Sequence, residues 1–527
     1  MTWPAMPVIY EVNTAVWLGD LSKAANQRLT LADVGADDWA AVTPAGIDAV
    51  WLMGVWERSP AGVAIANENA ELRASFRDAL PDLGTADVIG SPYCVRRYVV
   101  DARFGGPDGL AAARAALAYR GVRLILDYVP NHVAPDHPWV STSPERFIRG
   151  DDHDRAADPA AWMTTAGHVL ARGRDPYFPP WPDVVQLNAF APAMRVATAN
   201  VLADIASQCD GIRCDMAMLM TNRVFGTTWG QLAGEEIDHE FWPDVIGVLR
   251  TTHPDTVLIA ETYWDLEWEL QQQGFDFCYD KRLYDRILSQ DPGSIRDHLG
   301  ADLGYQSKLL RFVENHDEPR IAACLDAEAG KAAAVAVATL PGGTLWHEGQ
   351  FEARQVRPPV FLSRRPHEWP DLLLADWYRQ LLTTVADQDI KRGRWQLHET
   401  TGWSDNLTCT SLVAWSWTGG GVGLGHLVVV NLSPHPAQGR VHLDWSDPPP
   451  GRLRLTDLLS ERVYVRDGSE LADPGLYVDL HAWQAYLLAV DRPPTPTRDI
   501  AEPATIRPAA ADHVRGSRAE SDLRAGG

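Results

Sequence analysis

"KLLRFVENHDEPR", residues 308–320, is the stretch on which the fold turns. Its first half, "KLLRFVE" (308–314), is short and apolar on both faces, as a strand covered by helices on both sides must be. Its second half crowds Glu314, His316, Asp317, Glu318 and Arg320 together where that strand ends. An apolar strand closing on ionisable groups is the pattern of a parallel barrel, whose site sits at the C-terminal ends of its strands. Glu318 and Arg320 are expected to form a local ion pair or to cap the following helix.

Working outward, seven more runs of the same kind occur: "PVIYEV" (7–12), "DAVWLMGV" (48–55), "VRLILDYV" (122–129), "DGIRCD" (210–215), "TVLIAE" (256–261), "FDFCYD" (275–280) and "GGTLWHEG" (342–349). Amphipathic segments separate them, such as "PDGLAAARAALAYRG" (107–121), which has a Pro-Asp start and a Gly stop. Eight strand–helix units predict a (β/α)8 TIM barrel. A doubly wound open sheet is the runner-up, but no GxGxxG opens the chain.

About 80 residues part the third run from the fourth, too many for a helix and a turn, and loops of that length are usually functional. They read as an insertion after strand 3, over 133–190 within a catalytic barrel spanning 1–390. Beyond it, "SLVAWSW" (411–417), "GHLVVVNLS" (425–433), "RVHLDW" (440–445) and "AWQAYLLAV" (482–490) predict a C-terminal antiparallel β-sandwich over 391–491. Residues 492–527, rich in Pro, Ala, Arg and Asp, read as a disordered tail.

The net charge of −23 disfavours nucleic acid and anionic lipid but does not repel a neutral substrate. The 21 tryptophans, roughly three times ordinary usage, suit both core packing and stacking on sugar faces. No apolar stretch is long enough to span a membrane. Six scattered cysteines without a CxxC pair, and an N-terminus without a signal-peptide pattern, predict a cytoplasmic protein with free thiols.

The strand ends carry the chemistry. Run three closes on Asp127, Asn131 and His132; run four holds Arg213 and Asp215; run five ends at Glu261; run seven supplies His316 and Asp317. Cleaving a glycosidic bond takes one carboxylate as nucleophile and one carboxylic acid as proton donor. An arginine beside the nucleophile keeps it ionised. A third carboxylate and the histidines can hold sugar hydroxyls.

These residues resemble the motifs of the α-amylase family (glycoside hydrolase family 13), over roughly residues 8–490. Its D-x-V-x-N-H motif appears as "DYVPNH", G-x-R-x-D as "GIRCD", the strand-5 Glu in "LIAETYW", and N-H-D in "VENHD". The resemblance implies the barrel, the insertion (domain B) and the C-terminal β domain. It implies a retaining hydrolase acting on α-glucosidic bonds of α-glucans or maltooligosaccharides. Asp215 would be the nucleophile, Glu261 the acid/base, and Asp317 the residue holding the 2- and 3-hydroxyls of the reacting sugar. His132 and His316 would bind the same sugar, Arg213 would position Asp215, and Asp127 would support the network. Tyr93 in "SPYCVRRY" (91–98) is the candidate stacking tyrosine, and Tyr263, Trp264 or Trp268 the candidate acceptor platform.

Departures qualify the implication. Met218 and Leu219 stand where many endo-acting amylases have Lys-His, so the acceptor side differs, and an apolar "MAMLM" beside the nucleophile could favour transfer. "VVQLN" places Gln186 where a P-D-L-N variant is common. No cofactor is required; a structural calcium remains open, with Asn131 as ligand and acidic "GDDHD" (150–154) either an oxygen source or a solvated loop. His347 and Glu348 do not form HExxH, and their loop is expected to shape the substrate rim. A transglycosidase or isomerase of the same family is the alternative, using a sugar or phosphate acceptor. A non-catalytic carbohydrate-binding barrel is a remoter one. A metal-dependent barrel hydrolase would want an HxH on strand one, which "VIYEVN" lacks.

Overall fold

A computed structural model describes residues 2–420, 423–443 and 451–492. Eight parallel strands close into a barrel in sequential order: β1 (Val8–Asn13), β2 (Ala49–Met53), β3 (Arg123–Tyr128), β4 (Gly211–Cys214), β5 (Val257–Ala260), β6 (Phe277–Tyr279), β7 (Leu309–Arg311) and β8 (Gly343–His347). Each falls within one of the eight apolar runs or overlaps it to within a residue. The strands are buried on both faces, which is why they read as continuous apolar runs.

Alternation along each strand divides two cores. Ile9, Trp51, Ile125, Ile259, Phe277 and Leu345 fill the barrel interior. Residues of opposite parity, such as Val50, Leu124, Ile212 and Leu258, pack with the helices. Along β4, Ile212 and Cys214 join the helix-side core, so Arg213 and the following Asp215 share the inward parity. Register sets Arg213 beside Asp127 on β3 and Ile259 on β5.

The helix expected over 107–121 spans Gly106–Tyr119, with Pro107 in its first turn and Gly121 at φ 76 just past its end. The insertion between β3 and β4 is built from short pieces. His132–Val133 pairs with Val185–Gln186, and Trp162–Thr165 with His168–Ala171. Within "GDDHD", Asp151 caps the helix Asp152–Ala157, and its Oδ1 accepts from the His153 and Asp154 backbones at 2.7 and 3.0 Å.

Past the barrel, a six-stranded antiparallel sheet runs in the order 394–398, 412–418, 425–431, 485–491, 452–457, 463–467. A three-stranded sheet of 400–401, 437–441 and 476–480 covers it, with Leu412, Leu427, Val429, Val441 and Val478 between them. The other face of the large sheet continues the barrel's outer core through Val413, Trp415 and Val428. Trp417 Nε1 donates to the Thr339 carbonyl at 2.8 Å at the end of the helix Ala327–Thr339. Residues 2–492 therefore belong to one compact unit. Part of "RVHLDW" and the tail expected over 492–527 lie largely outside the described residues. No described helix is long and apolar enough to cross a membrane.

Candidate active site

Arg213 is the hub. It is fully buried, and only opposite charge can offset the cost of placing a guanidinium there. Nη1 donates to Asp215 Oδ1 at 2.8 Å and lies 3.6 Å from Asp127; Nη2 donates to Glu261 Oε2 at 2.7 Å. Trp51, Tyr93 and Tyr279 pack around the guanidinium, with ring centroids 5.2, 5.1 and 5.9 Å from it. Asp127 is held in turn by Trp51 Nε1 at 3.2 Å and the Gly54 backbone at 2.9 Å.

Met216, directly after Asp215, adopts φ 42, a left-handed conformation costly for any residue that carries a Cβ. That turn aims its N–H at Glu261 Oε2, 2.7 Å away. Tyr263 donates its hydroxyl to Glu261 Oε1 at 2.8 Å. Burial pushes the Glu261 carboxyl up to about 7 against the pull of Arg213. Burial also raises Asp215; Arg213 opposes this and the nearby Asp317 adds to it.

Around the rim, His316 lies between two carboxylates. Nδ1 is 2.5 Å from Glu11 Oε1 and Nε2 is 2.9 Å from Asp317 Oδ2. Burial disfavours the imidazolium, but these two charges outweigh it and hold His316 protonated. Desolvation by the cleft walls would raise Asp317, yet His316 brings it down to about 2. Tyr93 stacks on His316 at 5.5 Å and its hydroxyl lies 2.6 Å from Nε2. His132 is buried without such a charge, so its pKa falls to about 3 and it stays neutral.

These groups converge on a cavity of about 310 Å³ lined by Tyr93, His132, Asp215, Glu261 and Asp317. Trp181, Asp183, Met216, Tyr263 and Phe361 complete much of its wall. A larger groove, about 880 Å³, holds none of the three carboxylates, and two of the arginines lining it, Arg364 and Arg365, are already paired with Asp82, Asp87, Asp20 and Glu348. The smaller cavity is therefore the candidate active site.

Several expectations are revised. Arg320 pairs not with Glu318 but with Glu314, at 2.7 Å and fully buried, while Glu318 reaches Lys281 at 3.4 Å. The chain bends over His316–Glu318 and brings Arg320 back to Glu314, three residues past the end of β7. Glu314 Oε2 also accepts from the Ile321 backbone at 2.7 Å at the start of the next helix. Met218 and Leu219 are core residues in the 3-10 turn Ala217–Met220, so only Met216 of that apolar segment borders the cavity. His347 and Glu348 are buried against Arg320 and Arg365; their loop reaches the cleft instead through Phe361 and through Arg357, which donates to the Asp317 carbonyl. Trp268 is solvent-exposed, whereas Trp264 meets Tyr177 edge-to-face at 4.8 Å.

Asn131 is paired with Gln186 of the insertion. Its Oδ1 accepts from Gln186 Nε2 at 2.8 Å, and its Nδ2 donates to Gln186 Oε1 at 3.2 Å. Gln186 Oε1 also takes the Arg174 N–H at 3.3 Å. Calcium needs six to eight oxygens, several of them anionic. Among the described residues no group of three or more His, Cys, Asp or Glu is placed to hold a metal.

Glu11, Trp181, Asp183 and Phe361 escaped the sequence reading. Glu11 carried a faint signal, a lone acid in the apolar "VIYEVN", and Trp181 and Asp183 lie in the aromatic-rich "YFPPWPD" of the long insertion.

No family model matches the chain. An α-amylase (MalA) of Haloarcula japonica is 24% identical over 359 residues, 66% of this chain and 44% of that protein. Alpha-amylase 3 of Dictyoglomus thermophilum is 22% identical over 274 residues, 48% of this chain and 51% of that one. The chain spans about half the length of these curated relatives. Among solved structures, an α-amylase from Geobacillus thermoleovorans in complex with acarbose superposes with a TM-score of 0.64 at 16% identity, covering 94% of this chain and 100% of that one. The structural likeness is one of fold.

Proposed function

We propose that the chain is an α-amylase-type enzyme, as its likeness to curated α-amylases suggests, and that it cleaves α-glucosidic bonds of glucose oligosaccharides with retention, through a covalent glycosyl-enzyme on Asp215. What carries this is the single Arg213 fork that binds Asp215 through one nitrogen and Glu261 through the other. One guanidinium bridging two carboxylates keeps them close, as retaining chemistry requires; inverting pairs stand apart to admit a water. The ionised Asp215 attacks the anomeric carbon while Glu261 gives its proton to the departing glycosidic oxygen. Glu261, now a carboxylate, takes a proton from water, whose oxygen displaces Asp215. Asp317, held ionised by His316, binds hydroxyls of the reacting ring and stabilises its cationic transition state. Six unbridged cysteines suit a cytoplasmic setting.

A sugar acceptor in place of water is a second outcome of the same intermediate. Tyr177 and Trp264 favour it, because their edge-to-face pair lies just past Tyr263 and leaves Tyr177 exposed for stacking. A time course with maltooligosaccharides, sucrose and trehalose, with and without phosphate, read by anomer-resolved NMR, tests both. We expect α-configured reducing sugar to appear first. Redistribution without net reducing ends means transfer, β-configured first product overturns retention, and no turnover of any of these overturns the glucan assignment.

The protein is also proposed to work without calcium at the seam between β3 and the insertion, where the Asn131–Gln186 amide pair joins the two. Exhaustive chelation is expected to leave the melting temperature unchanged within about 2 °C, whereas Gln186→Ala, which strands the buried Asn131 amide, costs about 1–3 kcal/mol. A large drop on chelation, reversed by added calcium, would refute it.

A further inference from the structure

Asp183 belongs to the insertion and lines the same cavity as Asp215, Glu261 and Asp317. It is 5% exposed, and its Oδ2 has no hydrogen-bond partner within the protein. Its backbone is pinned, since Cys94 Sγ donates to the Asp183 carbonyl at 3.0 Å. Burial pushes the Asp183 carboxyl up to about 6. Its own backbone N–H opposes this first, and Arg172 then eases the charge through its field, its guanidinium donating to the Pro182 carbonyl. A buried carboxylate oxygen without a donor is costly. Trp181, two residues earlier, also lines the cavity and packs on His132 with ring centroids 5.0 Å apart. An indole face and a carboxylate on one wall are what a sugar ring meets best, one through its C–H face and the other through a hydroxyl.

We propose that Asp183 is a specificity residue: its carboxylate accepts a hydrogen bond from a hydroxyl of the glucose ring seated against Trp181 and His132. This rests on the glucan-cleaving function proposed above. The cavity, about 310 Å³, lies at the small end of the ~300–1,000 Å³ of small-molecule sites, so the ring on this wall is closely surrounded. Asp183 takes no part in bond cleavage; it discriminates among sugars by the hydroxyl it receives.

The test is calorimetric titration of maltotriose into Asp215→Asn protein, alone and combined with Asp183→Ala or Asp183→Asn, with a melting temperature for each. Asp183→Ala is expected to raise the maltotriose Kd about 10–100-fold, the range of a charge-assisted hydrogen bond, and Asp183→Asn about 3–10-fold. At pH 7.5 both are expected to melt about 1–4 °C higher, because each removes a buried carboxylate whose Oδ2 has no protein donor. A structural role predicts the opposite, a lower melting temperature. An unchanged Kd, or destabilisation of both variants, overturns the inference. If Asp215→Asn protein binds no maltotriose and the wild type cleaves none, the glucan assignment itself falls, and this inference with it.

Discussion

Asp215→Asn protein is expected to lose at least about 10⁴-fold in kcat on any substrate the wild type turns over. The amide is isosteric and can still accept from Arg213 Nη1, so the site keeps its shape while the nucleophile is gone. Stability should hold or rise. The Asp215 carboxyl is raised in the folded chain by burial and by Asp317. An acid raised by folding costs stability once pH exceeds its unfolded value, and a neutral amide removes that cost. Arg213 keeps its hydrogen bond to Glu261 at 2.7 Å and has Asp127 3.6 Å away. Steady-state kinetics with a parallel melting curve decide the matter. Activity within tenfold of wild type would remove Asp215 from the nucleophile's role, and a collapsed melting transition would make the loss uninformative about chemistry while showing a structural need for the charge.

Glu261→Gln is expected to lower kcat/KM about 10²–10⁴-fold on maltooligosaccharides, and less on a 4-nitrophenyl glycoside whose departing phenolate needs no proton. The pH profile gives the sharper test. In the proposed mechanism Glu261 donates a proton in the first step, so the competent free enzyme would carry it protonated. Its carboxyl is pushed up to about 7. Wild-type kcat/KM should therefore fall as pH rises through about 7, with a separate acid limb where Asp215 takes up its proton. An amide in its place has no such proton to lose, so the residual activity of the Glu261→Gln variant should lack this alkaline limb. A limb that persists at the same pH in the variant would assign it to another group and refute the role of Glu261.

Much of the barrel was legible because its signals are local. A strand buried on both faces must be apolar throughout, so "VRLILDYV" and "TVLIAE" announce β3 and β5 without knowledge of their neighbours. Inward parity plus the strand-end rule then points to Asp127, Arg213, Asp215 and Glu261, whose meeting requires only that adjacent strands pair in register. The C-terminal sheets were less legible. Strands such as 452–457 and 463–467 alternate polar and apolar residues over few positions, and their charged faces read as loop.

By itself the sequence determined the eight strands, their order, the presence of an insertion after the third, and which strand ends carry carboxylates. Tertiary structure alone decided who meets whom across the closed barrel. Glu11 and His316 are separated by 305 positions and touch only because β1 closes next to β8. Arg320 abandons the nearby Glu318 for a buried Glu314, because a buried guanidinium must find its counter-charge in the interior and not in solvent. Gln186 meets Asn131 and Asp183 enters the cleft because the insertion folds back on the barrel mouth. Periodicity is a property of neighbours along the chain and survives in the sequence. Convergence of side chains from separate strands and loops is a property of packing, fixed only when the barrel closes and the loops settle on it.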